Sequence, residues 1–168
     1  DYGKKNKMFV VGHTLIWHSQ LAPFAKNIKN KDSLQLFMAN HINKIAGRYK
    51  GKVDGWDVVN EALNEDGTYR KSIFLDLLGE DYLVTAFKLA EKSAPGTELY
   101  YNDFNIEQPK KREGAIKLLT KIKESGARID GVGIQGHWSL NGPPVQEIEE
   151  SIIAYSKLGL KVMITELD

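Results

Sequence analysis

Trp56-Asp57-Val58-Val59-Asn60-Glu61-Ala62 is a short, nearly unbroken apolar run that ends on an amide and an acid. Continuous apolarity over so few residues is the mark of a parallel strand covered on both faces. The polar pair stands where such a strand gives way to a loop. Val162-Met163-Ile164-Thr165-Glu166-Leu167-Asp168 has the same form, again with an acid just past the apolar residues.

Outward from these two stretches the chain alternates apolar runs with helical patterns. Met8–Val11, Leu99–Tyr101 and Ile129–Ile134 read as further strands. Leu34, Met38, Ile42, Ile45 and Tyr49 recur at helical spacing after Asp32-Ser33-Leu34-Gln35, which has the form of a capping box. Leu83, Ala86, Phe87 and Ala90 form a second stripe. A third helix starts near Pro109, carries Ile116, Leu119 and Ile122, and stops at Gly126; a fourth carries Val145, Ile148, Ile152 and Tyr155 and stops near Gly159. These stripes are expected to be core faces.

Strand starts recur every 31 to 48 residues or so, about the period of a βα unit with a parallel sheet. On length alone, 168 residues suit an open doubly wound sheet better than a closed (β/α)8 barrel, which needs about 250. The polar residues decide otherwise. His13, Asn60, Asn102, Gln135, His137 and Glu166 all fall at or just past the C-terminal end of a strand. A barrel gathers its chemistry on that one rim. A doubly wound sheet concentrates it at a switch point, commonly with a Gly-rich phosphate loop. Gly131-Val132-Gly133 lies inside a strand and lacks the third glycine. The expected fold is therefore α/β: an incomplete (β/α)8 TIM barrel with parallel strands, forming one domain over residues 1–168.

Composition narrows the function. Basic and acidic residues nearly balance, 23 against 22, which leaves no electrostatic footprint for nucleic acid or an anionic membrane. The short basic runs at Lys4-Lys5 and Lys110-Lys111-Arg112 read as solvated surface. With no cysteine there are neither disulfides nor thiolate metal sites. No apolar run approaches the ~20 residues that span a bilayer. There is no signal peptide, although the chain opens on Asp1 rather than Met, which leaves a removed leader open.

The rim segments carry a particular chemistry. Two converging carboxylates are the minimum equipment for cleaving a glycosidic bond: one gives a proton to the leaving oxygen, the other attacks or activates water. Gly12-His13-Thr14-Leu15-Ile16-Trp17-His18 sets two imidazoles about a Trp, the aromatic-plus-donor company that sugars need. Asn60 beside Glu61 can hold a hydroxyl and orient a carboxyl. Tyr100-Tyr101-Asn102-Asp103-Phe104-Asn105 is dense in hydrogen-bonding groups, and Gln135-Gly136-His137-Trp138 repeats amide, imidazole and aromatic. Glu166 and Asp168 share strand parity. The plain alternatives are a helix cap for the Glu61 segment, turn formers for Asp103 and Asn105, and a structural histidine for His13. A zinc site from His13, His137 and a carboxylate is a further alternative, though no His-x-x-x-His spacing occurs.

Taken together and in this order, Gly12–His18, Trp56–Ala62, Tyr101-Asn102-Asp103, Gly133-Ile134-Gln135-Gly136-His137 and Ile164–Asp168 resemble the xylanases of glycoside hydrolase family ten. The resemblance implies an endo-acting β-1,4-xylanase that retains anomeric configuration by double displacement. No metal or organic cofactor is implied. Glu61 would be the general acid/base and Glu166 the nucleophile. Asn60 would hold the sugar's 2-hydroxyl, with His13 and Trp17 on the glycone side of the reacting subsite. Gln135 and His137 would bond around the nucleophile, Asp168 would fix the imidazole, and His18 would support from behind. Tyr101 and Asn102 would face the aglycone side. The implied partner is xylan or a xylo-oligosaccharide, with no nucleic acid or membrane, and the implied protein is a monomer, extracellular or periplasmic. By the resemblance the chain runs from just before the third barrel strand to the end of the seventh. A related barrel glycosidase acting on cellulose or another β-glucan, and a non-catalytic fragment that only binds oligosaccharide, are the competing expectations.

Overall fold

The structure, a computed structural model, describes residues 2–168. In chain order the elements are α1 (Tyr2–Lys5), β1 (Val11–Gly12), β2 (Ile16–Trp17), α2 (Pro23–Lys26), α3 (Lys31–Arg48), β3 (Gly55–Asn60), α4 (Ile73–Leu78), α5 (Asp81–Ser93), β4 (Glu98–Asp103), α6 (Pro109–Glu124), β5 (Gly131–Ile134), α7 (Val145–Lys157) and β6 (Lys161–Ile164). Every strand pair is parallel, and the sheet runs β1-β3-β4-β5-β6 with β2 also paired to β3. Strand order follows chain order without a reversal, so among the described residues there is no switch point and the doubly wound alternative falls. The sheet is an arc of a (β/α)8 barrel, incomplete as expected.

The two faces of the arc divide by strand parity. Leu99 and Tyr101 of β4 and Val132 and Ile134 of β5 join one apolar core with Met38 and Ile42 of α3, Leu83 and Phe87 of α5, and Leu118 and Ile122 of α6. Helices α3, α5, α6 and α7 pack side by side in that order. Tyr100 and Asn102 take the opposite parity, next to Gly131 and Gly133 of β5. A Cβ on Gly133 would lie 2.3 Å from Asn102 Oδ1 and 2.7 Å from Thr165 Cγ2. This glycine is required by close approach: it leaves room for the Asn102 amide to reach across the sheet.

Three local expectations are corrected. The first strand does not run over Met8–Val11. It begins at Val11, breaks, and resumes at Ile16, because β3 offers partners only from Gly55 onward. Met8, beyond the ladder, is 52 % exposed. The cap of α3 is Asn30 rather than Asp32, with Ser33 N–H donating to its side chain at 2.8 Å. The apolar stripe of α7 is not all core: Val145 is 79 % and Ile152 38 % exposed. Its buried face is Ser151 and Tyr155, whose hydroxyls donate to the carbonyls of Glu107 and Ile106. The stripe at the end of α3 weakens likewise at Tyr49, which lies past the last helical residue and is exposed.

The packing at Gly133 gives a direct test of how tightly the strands hold the site. Gly133→Ala is expected to lose about 1–3 kcal/mol, the usual cost of forcing an atom into a filled core, with a matching fall in the urea midpoint. An unchanged midpoint would show that β5 and β6 separate freely and that the close approach carries no weight.

Candidate active site

The ends of the strands bring the polar residues to one rim. Backbone bonds continue the ladders past the regular strands: Glu61 N–H donates to Asn102 O, Gln135 N–H to Asp103 O and Glu166 N–H to Gln135 O. Each of these rim residues is thereby fixed against a neighbouring strand. The regular part of β6 stops at Ile164, so parity alone does not align Glu166 with Asp168. His137 does: its Nε2 lies 3.2 Å from Glu166 Oε2 and its Nδ1 3.1 Å from Asp168 Oδ1.

Three side-chain amides join the two glutamates. Asn102 Nδ2 donates to Glu166 Oε1 at 2.8 Å and to Asn60 Oδ1 at 3.0 Å. Gln135 Nε2 donates to the same Asn60 oxygen and to Glu61 Oε1, both at 3.2 Å. Asn60 Nδ2 adds a bond to Glu61 Oε1 at 3.2 Å, and Trp17 Nε1 donates to Glu61 Oε2 at 3.0 Å. All three amides are buried. A buried carboxylate oxygen needs donors, and these amides supply them without adding charge. Both acids, themselves partly exposed, are thus held by one buried amide network with their oxygens defined.

The histidines divide by environment. His13 Nδ1 pairs with Asp57 Oδ2 at 2.9 Å, and this bond raises the imidazole above its ordinary value despite the cost of burial. Burial pushes the Asp57 carboxyl up, with His13 opposing. His137 is raised chiefly by its bond to Asp168. His18 is lowered, first by burial and then by the Arg70 cation. Its Nδ1 has no partner among the described residues, and its ring meets Trp17 edge-on at 6.2 Å. Trp17 also meets His13 edge-on, at 6.3 Å. His13, Trp17, His18, Asn60, Glu61, Gln135, His137, Glu166 and Asp168 therefore gather about one rim. The zinc alternative finds no support in the geometry: among the described residues no three His, Asp or Glu side chains converge as metal ligands.

Tyr101 and Asn102 are placed differently from the expectation. Tyr101 is fully buried on the helix side of the sheet, where it cannot touch a sugar. Its hydroxyl donates to Asp103 and accepts from Ala62 N–H. Residues 101 and 102 point to opposite faces, as neighbours in a strand must, and only Asn102 points to the rim. Asn102 is itself fully enclosed and touches Glu166 rather than open space.

Glu61 has φ +56°, in the left-handed region that side chains rarely adopt. Strain of this kind costs about 1–3 kcal/mol and persists only where the surroundings over-determine it. Asp57, Thr165 and Arg70 complete the site and were not picked out as site residues in the sequence. Asp57 lies within a rim motif, and its polarity inside an apolar strand is a signal. Thr165 donates to Asn102 Oδ1 at 2.7 Å and sits beside Glu166. Arg70 follows nothing that marks it.

The chain is similar to known proteins along its whole length. The model of glycosyl hydrolase family 10 matches residues 1–168. A β-1,4-xylanase of Dictyoglomus thermophilum is 44 % identical over 170 residues, covering 100 % of this chain and 48 % of the relative. The endo-1,4-β-xylanase A of Fusarium oxysporum f. sp. lycopersici is 46 % identical, covering 93 % of this chain and 51 % of the relative. A GH10 endoxylanase retrieved from a sugarcane soil metagenome superposes with a TM-score of 0.96 at 42 % identity, over 99 % of this chain and 51 % of that one. Xylanase 10B of Thermotoga maritima gives 0.95 at 36 % identity, over 99 % and 52 %. The chain spans about half the length of the relatives it matches. With the family model matched end to end and the parallel half-barrel in common, the chain belongs to glycosyl hydrolase family 10.

Proposed function

We propose that this chain carries the catalytic centre of an endo-acting β-1,4-xylanase that retains configuration. The observation that supports it most is the amide network that holds Glu61 and Glu166, from two separate strands, on one rim. In the first step a Glu166 oxygen bonds to the anomeric carbon while the bond to the glycosidic oxygen breaks. Glu61 gives its proton to that oxygen, and the aglycone leaves as an alcohol. In the second step Glu61 takes a proton from water, and the water oxygen bonds to the anomeric carbon. The bond to Glu166 breaks and its carboxylate is restored. Retention by this route needs carboxyls about 5–5.5 Å apart.

The other rim residues have roles that follow from their bonds. Asn60 spends one N–H on Glu61, which leaves one to offer the sugar's 2-hydroxyl. Asn102 and His137 hold the two oxygens of Glu166 and so aim it. Asp168 fixes the imidazole, the kind of support that sets a ring's orientation. Trp17 and His13 supply an aromatic wall on the side of Glu61. A cavity of about 420 Å³ opens at His137, between Asn105, Gln108 and Glu147, and gives a chain-like substrate room beyond the reacting sugar. That the relatives are named xylanases supports xylan rather than cellulose as the substrate of this chain. A polymer of that size stays outside the cell, so the enzyme would work there. No helix among the described residues is long and apolar enough to cross a membrane.

Two measurements test this function. Glu166→Gln should lower turnover on every substrate to near zero, because no other residue can form the glycosyl ester. Glu61→Gln should impair xylan far more than an aryl xyloside whose leaving group departs unprotonated. Assaying both variants on both substrates, with carboxymethylcellulose as the control polymer, checks the assignment. Full activity in Glu166→Gln, or equal losses in Glu61→Gln, would contradict it.

The histidine has its own signature. The folded pKa of His137 is raised above the ordinary 6.5. Its pairing therefore stabilises the fold fully below about 6.5 and is lost as pH rises through the folded value. A proton NMR titration should find His137 above 6.5 and find it lower in Asp168→Asn. An unmoved midpoint would show that Asp168 does not hold the ring.

A further inference from the structure

Glu61 is the proton donor under the proposed function, and the inference rests on that reading. Its backbone lies in the left-handed region at φ +56°, followed by an irregular turn that leaves the sheet. A side chain in that conformation needs its neighbouring peptide groups held from outside. Asn102 O takes Glu61 N–H at 2.9 Å and the Tyr101 hydroxyl takes Ala62 N–H at 3.1 Å. The carbonyls on the other side of the turn belong to one residue. Arg70 Nε donates to Glu61 O at 3.1 Å and Arg70 Nη2 to Leu63 O at 2.7 Å, while Arg70 N–H donates to Ala62 O at 2.7 Å.

We propose that Arg70 is the positioning residue of the general acid: its planar fork clamps the carbonyls of Glu61 and Leu63 while its backbone N–H holds that of Ala62 between them, and so keeps the Glu61 carboxyl on Trp17. The use of the guanidinium is unusual enough to carry weight. Arginines near carboxylate-rich sites ordinarily pair with an acid. Arg70 makes no ion pair with any described residue and gives its directional donors to backbone oxygen instead. It lies 5.6 Å from the centroid of the Phe104 ring, within cation–π range. A lysine at this position has a point charge without the fixed geometry, and cannot hold carbonyls two residues apart at once. With the clamp loosened, the Glu61 peptide relaxes toward ordinary φ and the carboxyl swings off Trp17 Nε1.

The three tryptophans make this measurable on the chain itself. Trp17 donates its indole N–H to Glu61 at 3.0 Å, and Trp138 donates its own to Glu107 at 3.2 Å, away from the turn. In an ¹⁵N–¹H spectrum of the wild-type chain the Trp17 indole resonance should report its bond to Glu61 and move in Glu61→Gln. In Arg70→Lys and Arg70→Gln it should shift as well, while the Trp138 resonance stays in place. An unmoved Trp17 resonance overturns the proposal. Loss of the Trp138 resonance as well would show that Arg70 holds the fold rather than the acid, and overturns it too. Kinetics on the protein expressed from its complete gene give the second readout. Arg70→Lys should lose about 100-fold on xylan, the scale of a 1 Å misplacement, and much less on an aryl xyloside with a good leaving group. Equal losses on the two substrates overturn the proposal. Glu61→Gln measured in parallel separates the failures: if it too loses equally, the proton-donor reading has failed, and if it keeps the split, Arg70 alone has.

Discussion

The structure depends on one buried amide. Asn102 gives both N–H groups to oxygens from other strands, Asn60 Oδ1 and Glu166 Oε1, and its own oxygen accepts from Thr165. Leaving such a group unpaired inside the protein costs about 1–3 kcal/mol, so its partners cannot drift independently. The end of β3, the rim of β4 and the segment after β6 are pinned to one point. Gly133 exists as a glycine to let this happen, since any Cβ there would occupy the place of the Asn102 oxygen. The two acids need no direct contact: Glu166 bonds to this amide itself, and Glu61 is tied to it through Asn60.

Behind the rim lies a second buried polar group with a different task. Asp103 and Lys111 are both fully buried and pair at 3.0 Å. Lys111 also reaches Glu65 at 3.2 Å and sits 3.6 Å from the centroid of the Phe104 ring. Burial drives the Asp103 carboxyl up to about 6, against the pull of Lys111. Such a pair adds little net stability, because desolvation offsets most of the attraction. What it does is fix geometry. Through the Tyr101 hydroxyl it holds the Ala62 peptide, and through Glu65 and Asn105 it ties the loop after β3 to the loop after β4. The strained peptide of Glu61 lies between these supports and the Arg70 fork.

Much of this was legible in the sequence, for physical reasons. Strands buried on both faces are mostly apolar, so β3 to β5 declare themselves, while β6 reads the same way although it is only partly buried, and polar residues at their ends had to be a rim. Helices with a one-sided stripe, such as α5, were equally plain. The misreadings came where tertiary context decides. Met8–Phe9 is as apolar as a strand but has no neighbour to pair with. Val145 and Ile152 are as apolar as a core stripe, yet α7 turns Ser151 and Tyr155 inward because their hydroxyls satisfy the carbonyls of the β4 loop. Tyr101 stood in a motif dense with site residues, but its parity with Leu99 assigns it to the core. The role of Arg70 had no sequence signal, since a clamp on backbone carbonyls requires no particular residue in its partners.

The central claim is that Glu166 attacks and Glu61 assists, on one rim held by amides. Trapping the intermediate tests it most directly. A 2-deoxy-2-fluoro-xylobioside with a good leaving group, incubated with the protein from its complete gene and followed by peptide mass spectrometry, should leave a covalent glycosyl ester on Glu166. An ester on Glu61, or none while xylan is still hydrolysed, would contradict it.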